Sequence, residues 1–230
     1  MLTLGLDLSS GTGCVALVAD GITLASVSVD LANQPLRECA RMVDAVLHLA
    51  DVKLPDVELL TSITGPGSWT GIRVAATTIN TISIAHGTPV QPMNAFEAMG
   101  CLRERWPDIE LGIIQTSSSE ACVAPLEPNA SEPWDHTVET VPLTSLGDLV
   151  SGRTAIVSLR PSTARWILQT IEASAYVNVN DAAPLAVIAA AEAPRMYARL
   201  AGHASTQMVR PFYAGSPVSR IGSSHEEGRA

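Results

Sequence analysis

Aromatic side chains are scarce in this chain of 230 residues, with two Phe, three Tyr and four Trp. The core must therefore be built from Ala, Val, Leu and Ile. Hydrophobic residues make up 47% of the sequence, enough for one large domain or two small ones. Positive charge is also in short supply. There are 14 basic against 23 acidic residues, a formal net charge of -9. Nucleic-acid binders carry a basic footprint, and no Lys/Arg cluster occurs here, so direct nucleic-acid binding is not expected. The four cysteines, Cys14, Cys39, Cys101 and Cys122, are scattered and form no CxxC. That argues against a disulfide framework and for reduced thiols in a cytosolic protein. Among the histidines (His48, His86, His136, His203 and His225) no pair has the HxxxH spacing of a helix-borne metal site. No uncharged apolar run reaches the roughly 18 residues of a membrane span. Met1-Leu2-Thr3 leads straight into a strand pattern without a basic leader. A soluble, cytoplasmic protein is expected.

One stretch is unusually rich in conformational signals: Gly65-Pro66-Gly67-Ser68-Trp69-Thr70-Gly71-Ile72-Arg73. It joins an apolar run, Leu59 to Ile63, to a helical pattern, Ile72 to His86. Glycine permits φ > 0, proline fixes its own φ and restricts the residue before it, and Ser68 is a good helix N-cap. Two readings follow. The stretch is either a tight turn that sets the start and angle of the helix, with Gly65, Pro66, Gly67, Ser68 and Gly71 as structural residues, or a helix N-terminus that holds an anion. It is not a P-loop, which needs a lysine. Nor is it a nucleophile elbow, because Pro66 and Thr70 stand two residues either side of Ser68.

The remaining patterns repeat in order. Leu2 to Leu8, Cys14 to Ala19 and Ile22 to Val29 read as three meander strands, with Asp20-Gly21 as a hairpin turn. Pro35 to Leu49 is an amphipathic helix. Leu59 to Thr64 is a strand, Ile72 to Ala85 a helix closed by Gly87, Val90 to Pro92 a short strand and Ala95 to Arg105 a helix. The second half gives strands at Leu111–Thr116, Ala121–Leu126 and Thr137–Val141, and a helix at Leu143–Val150. Then come a strand at Thr154–Leu159, a helix at Ser162–Ala173, a strand at Tyr176–Val179 and a helix at Pro184–Leu200. Each half is β-β-β-α-β-α-β-α. That layout is the one of the actin/hexokinase/Hsp70 fold, an α/β architecture of two duplicated lobes. The lobes are expected at 1–108 and 109–214, with a flexible tail at 215–230.

In that fold the turn after the first strand carries a phosphate loop. Asp7-Leu8-Ser9-Ser10-Gly11-Thr12 matches it loosely, so Asp7, Ser9, Ser10, Gly11 and Thr12 are the candidate cofactor-binding residues. The competing reading of Asp7 is a carboxylate that caps its own turn. No second acidic residue of matching type follows a later strand. No nucleophile–base pair can be named either, so no catalytic residue and no metal ligand is assigned.

The residues also resemble those of a known family. Leu4-Gly5-Leu6-Asp7-Leu8-Ser9-Ser10 resembles the opening, the glycine stretch resembles the "GPGSFTGlR" block with Trp for Phe, and Pro211-Phe212-Tyr213 resembles the closing "P-Y-R" of the TsaB/YeaZ family. These are glycoprotease-like partner proteins in bacterial tRNA threonylcarbamoyladenosine synthesis. Three segments depart from the family pattern: Asn33 to Leu36, Gln115 to Cys122 of which only Glu120 is kept, and Ala214 after the final Tyr213. The resemblance implies a subunit without catalytic residues that partners TsaD, and through it TsaE, in transfer to N6 of adenosine 37. It implies a homodimer when alone and no membrane. ATP or ADP at or near the partner interface is the one cofactor candidate. The interface it implies lies on the two N-terminal helices: Leu36, Ala40, Val43 and Leu47 on the first, and Arg73, Ala76, Ile79, Asn80 and Ser83 on the second. The alternative is a small-molecule kinase or ATPase of the same fold that uses the Asp7–Thr12 turn.

Overall fold

The computed structural model describes residues 1–31, 34–126, 138–159, 163, 176–178, 184–200 and 208–211. The chain begins with β1 (Leu2–Asp7), β2 (Thr12–Ala19) and β3 (Ile22–Asp30), followed by α1 (Pro35–Leu49), β4 (Leu59–Ser62), α2 (Trp69–His86) and α3 (Ala95–Cys101). It continues with β5 (Leu111–Gln115), β6 (Glu120–Pro125), β7 (Glu139–Pro142), α4 (Leu146–Val150), β8 (Ala155–Ser158), β9 (Tyr176–Asn178) and α5 (Leu185–Leu200).

Two sheets share one plan. The first runs β3-β2-β1-β4 and the second β7-β6-β5-β8-β9. In each, the first three strands form an antiparallel meander and the next strand joins the first of them in parallel. The short strand read at 90–92 is reduced to two isolated bridges, Leu60 to Val90 and Ile63 to Met93. Gln91 and Met93 still donate to Leu60 O and Ser62 O, but Pro89 and Pro92 have no N–H to give, so the segment can only close an edge. The helix read at Ala95–Arg105 stops at Cys101 and tightens to a 3-10 turn at Leu102–Glu104. Its start is a capping box, with Asn94 accepting from Phe96 N–H and Glu97 accepting from Asn94 N–H. The helix read at Ser162–Ala173 apart from Thr163, the closing Phe212-Tyr213 and the tail 215–230 lie outside the described residues.

Strand alternation sorts the layers. Leu4, Leu6, Val15 and Leu17 face α1 and α2, in one cluster with Cys39, Met42, Val43, Val46, Ala75, Ala76 and Ile79. The opposite residues, Cys14 and Ala16, face Ala186 of α5. Between the sheets lie α3 and α5, where Phe96, Met99, Ile188 and Ala189 pack with Ile114, Cys122 and Ile156. The far face of the second sheet is covered by α4 through Leu146 and Val150. The alanine-rich α5 comes so near the first sheet that a Cβ on Gly5 would sit 2.4 Å from Ala186 O. Small residues thus replace aromatics as the way this core closes up.

Candidate functional site

The glycine stretch is built against the β1–β2 turn. Ser68 N–H donates to Ser9 O at 2.6 Å, and a Cβ on Gly67 would lie 2.3 Å from that same oxygen. One turn of helix later, a Cβ on Gly71 would meet Leu8 O at 1.8 Å. Neither distance is compatible with a side chain, so α2 can start where it does only with glycine at both positions. Gly65 takes φ 120°, which L side chains rarely adopt, and the Gly65–Pro66 peptide is cis. Ser68 caps the helix through its hydroxyl, which accepts from Gly71 N–H at 3.4 Å. The helix starts at Trp69, three residues before the Ile72 read from periodicity.

The turn beneath is largely occupied by its own bonds. Asp7 Oδ1 accepts from Ser9 N–H at 2.7 Å. Ser10 Oγ donates to Thr12 O at 2.7 Å and accepts from Thr12 N–H at 3.3 Å. Gly11 O accepts from Leu31 N–H at 3.0 Å. Asp7 is buried, and burial pushes its carboxyl above the usual carboxylate range, partly opposed by the bonds from Ser9. Asp7 sits on the face that β1 turns towards α5. The matching end of β5 reads Ile114-Gln115-Thr116, where Gln115 donates to Ser117 O, and the next acid, Glu120, is exposed. A magnesium-nucleotide centre of the kind the fold can carry needs carboxylates from both halves. These residues do not fit it.

Because the folded pKa of Asp7 is raised, the fold favours the neutral form. The loss of stability is absent below the unfolded pKa of about 4, grows as pH climbs from there to the folded value, and is constant above it. Asp7→Asn keeps an acceptor for Ser9 N–H and removes the ionisation. Its Tm is expected to exceed that of the parent by a few degrees at neutral pH (roughly 2–4 °C per kcal/mol) and to match it near pH 4. A difference that does not change with pH would show Asp7 to be solvated.

The thiols are poor nucleophile candidates. Cys14, Cys39 and Cys122 are buried and Cys101 half-buried. Burial pushes Cys14 up to about 11; Cys101 reaches the same value through burial and then Glu192, Glu104 and Glu97. Among the described residues no group of three His, Cys, Asp or Glu could hold a metal ion.

The residues read as an interface divide into two sets. Val43, Ala76 and Ile79 are buried inside this chain's own core, because α1 and α2 use those stripes on the first sheet. Asn80 is taken by Val209, and Ser83 Oγ donates to Thr88 O. These five are thus engaged within the chain, Asn80 and Ser83 remaining half-buried. Leu36, Ala40 and Arg73 are exposed and Leu47 is half-buried. Periodicity missed the outer stripe of α2. Trp69, Arg73, Thr77, Thr81 and Ile84 are exposed, and at about 100° per residue they share one side of the helix. Ile84 is 76% and Trp69 44% exposed, and the Arg73 guanidinium lies 3.9 Å from the centroid of the Trp69 ring.

The arrangement of sheets and helices can be set beside solved structures. YeaZ from Pseudomonas aeruginosa superposes with a TM-score of 0.64 at 18% identity, over 92% of this chain and 99% of that one. The chain has the YeaZ fold. A second structure, an uncharacterized protein with similarity to peptidase YeaZ from Pseudomonas aeruginosa, gives 0.61 at 15% identity over 92% and 98%. The ethanolamine utilization protein EutJ from Carboxydothermus hydrogenoformans gives 0.52 at 8% identity over 83% and 89%. The α/β fold of two similar halves is shared with these structures. In sequence, residues 31–104 match the family model described as TsaD, tRNA N6-adenosine threonylcarbamoyltransferase. That span runs from the start of α1 through the glycine stretch, α2 and α3. No curated protein sequence matches the chain. No helix among the described residues is long and apolar enough to cross a membrane.

Proposed function

We propose that this chain is a TsaB/YeaZ-type subunit that docks on a TsaD-type threonylcarbamoyltransferase through the outer face of α1 and α2, and so supports threonylcarbamoyl transfer to N6 of adenosine 37 of tRNA. The observation that carries the reading is the exposed stripe of α2. This helix has 18 residues and a single charged one, Arg73, in a chain of net charge -9. A solvent-facing helix ordinarily carries charge on its outer side. Here that side offers Trp69, Thr77, Thr81 and Ile84, and Leu36 of α1 is 71% exposed. Apolar and aromatic side chains presented together mark a recognition surface, and Trp and Arg are enriched among residues that dominate binding energy. The family match over 31–104 and the YeaZ fold support the same assignment.

In this reading the chain has no catalytic centre of its own. TsaD supplies substrate and tRNA contacts, TsaE is reached through TsaD, and a nucleotide, if one is used, sits at or near the joint surface. The free chain pairs with a second copy through the same face, in the cytoplasm, and the lobes divide at 1–108 and 109–214 before a tail at 215–230. The kinase or ATPase alternative is disfavoured by the missing carboxylate at the end of β5. The test is co-purification of the full chain with the TsaD-type subunit of the same organism. A stable complex is expected, with no tight ATP–magnesium binding by the free chain. Tight nucleotide binding that Asp7→Ala abolishes, without a complex, would favour the enzyme.

A further inference from the structure

The exposed stripe of α2 is bordered on both sides. On one flank Thr78 Oγ1 lies 3.5 Å from Cys39 Sγ of α1. On the other flank Asn80 clasps the chain's own C-terminal segment: Nδ2 donates to Val209 O at 3.1 Å, and Oδ1 accepts from Val209 N–H at 2.8 Å. One amide side chain thereby satisfies both backbone groups of one residue, as a neighbouring strand would. Val209 is buried in the α1–α2 core, while Met208 is 59% exposed and Arg210 is exposed. The clasp therefore fixes the register of Met208–Pro211 and turns Met208 and Arg210 outwards beside α2.

The charges on this face run against those of the chain. Neither α2 nor Met208–Pro211 contains Asp or Glu. They bring Arg73 and Arg210, and α1 adds exposed Arg37, Arg41 and Asp44, with Arg41 3.6 Å from Glu38, so basic residues still outnumber acidic ones on this face. We propose that Met208–Pro211 belongs to the docking surface, that Asn80 is the residue that positions it there, and that the TsaD-type surface it meets carries carboxylates opposite Arg73 and Arg210. This rests on the function proposed above. Arginine forks pair best with carboxylate or phosphate. A protein fits better than RNA because Trp69, Ile84 and Met208 lie among the arginines, and covering them with a phosphate backbone gains nothing. The overall charge of -9 also opposes a polyanion.

The test is equilibrium binding of the full-length chain to the TsaD-type subunit at low and high salt, with Arg210→Glu, Met208→Glu and Asn80→Ala. Both glutamate variants alter exposed side chains and are expected to keep the parent Tm. Arg210→Glu should bind at least ten-fold more weakly at low salt, with the gap narrowing at high salt. Met208→Glu should lose a similar amount with little salt dependence, and Asn80→Ala should weaken binding comparably. Should Asn80→Ala fail to fold, the two exposed variants decide alone. Parent affinity in both would overturn the proposal while leaving the function intact. A parent chain that binds no TsaD-type subunit would overturn both. Binding of tRNA by the free chain, lost in Arg210→Glu, would replace the protein partner with RNA.

Discussion

Gly71→Ala is expected to cost about 3 kcal/mol or more of folding stability, the upper range for overpacking a core. The added methyl would stand 1.8 Å from Leu8 O, a backbone atom at the end of β1. A flexible side chain could swing aside, but this carbonyl belongs to the turn that carries Ser9 and Ser10, so relief requires α2 to move off the sheet. Gly67→Ala meets Ser9 O and Ser9 Cβ at 2.3 and 2.7 Å and should behave the same way. Gly100, inside α3 with nothing within 4 Å of its Cβ position, is the contrasting site. Alanine there should stabilise by about 0.5–1 kcal/mol, since glycine is disfavoured in helix interiors. Chemical denaturation of the three variants gives the comparison. Parent-like stability in Gly71→Ala would mean that the helix start is loosely packed and the glycine stretch serves something other than packing.

Introducing glutamate on the outer face of α2 is expected to weaken the proposed complex without weakening the fold. Ile84→Glu and Thr81→Glu replace exposed residues, so the free chain should keep its stability within about 0.5 kcal/mol. Once the face is covered, an unpaired carboxylate would lose its water, at a cost of about 3–5 kcal/mol, or a hundred-fold or more in affinity. Val43→Glu and Ala76→Glu should do the reverse. Both side chains are buried in the core between α1, α2 and the first sheet, so a charge there should unfold the chain before binding can be measured. Calorimetric titration against the TsaD-type subunit, beside thermal melts, separates the two classes. Parent-like affinity in both exposed variants would place the partner elsewhere on the molecule.

The difference between these two sets shows where sequence periodicity stops being informative. The pattern Leu36, Ala40, Val43, Leu47 marks α1 as amphipathic, and its bounds agree with the helix from Pro35 to Leu49. Yet periodicity reports that a helix has an apolar side, not which body covers it. Most of what was read as a contact stripe on α2 is absorbed by the chain itself: Ala76 and Ile79 by the sheet, Asn80 by Val209. That last contact joins residues 129 apart, beyond any local pattern. The exposed stripe is hard to see in sequence because threonine and a single arginine look neither apolar nor charged enough to stand out. The order of elements along the chain, repeated in the two halves, is legible because turn signals and alternation are local. The glycine stretch was legible as structurally constrained, but its counterpart, the Leu8 and Ser9 carbonyls, could be found only in three dimensions. The Val90–Pro92 strand was over-read because its prolines remove the donors that a strand interior needs.

The most direct test is reconstituted threonylcarbamoyl transfer to tRNA, run with the TsaD-type subunit and its remaining partners, with and without this chain. Product is expected to form at a substantial rate only when the chain is present, with Ile84→Glu unable to replace it. Equal rates in its absence would contradict the proposed role.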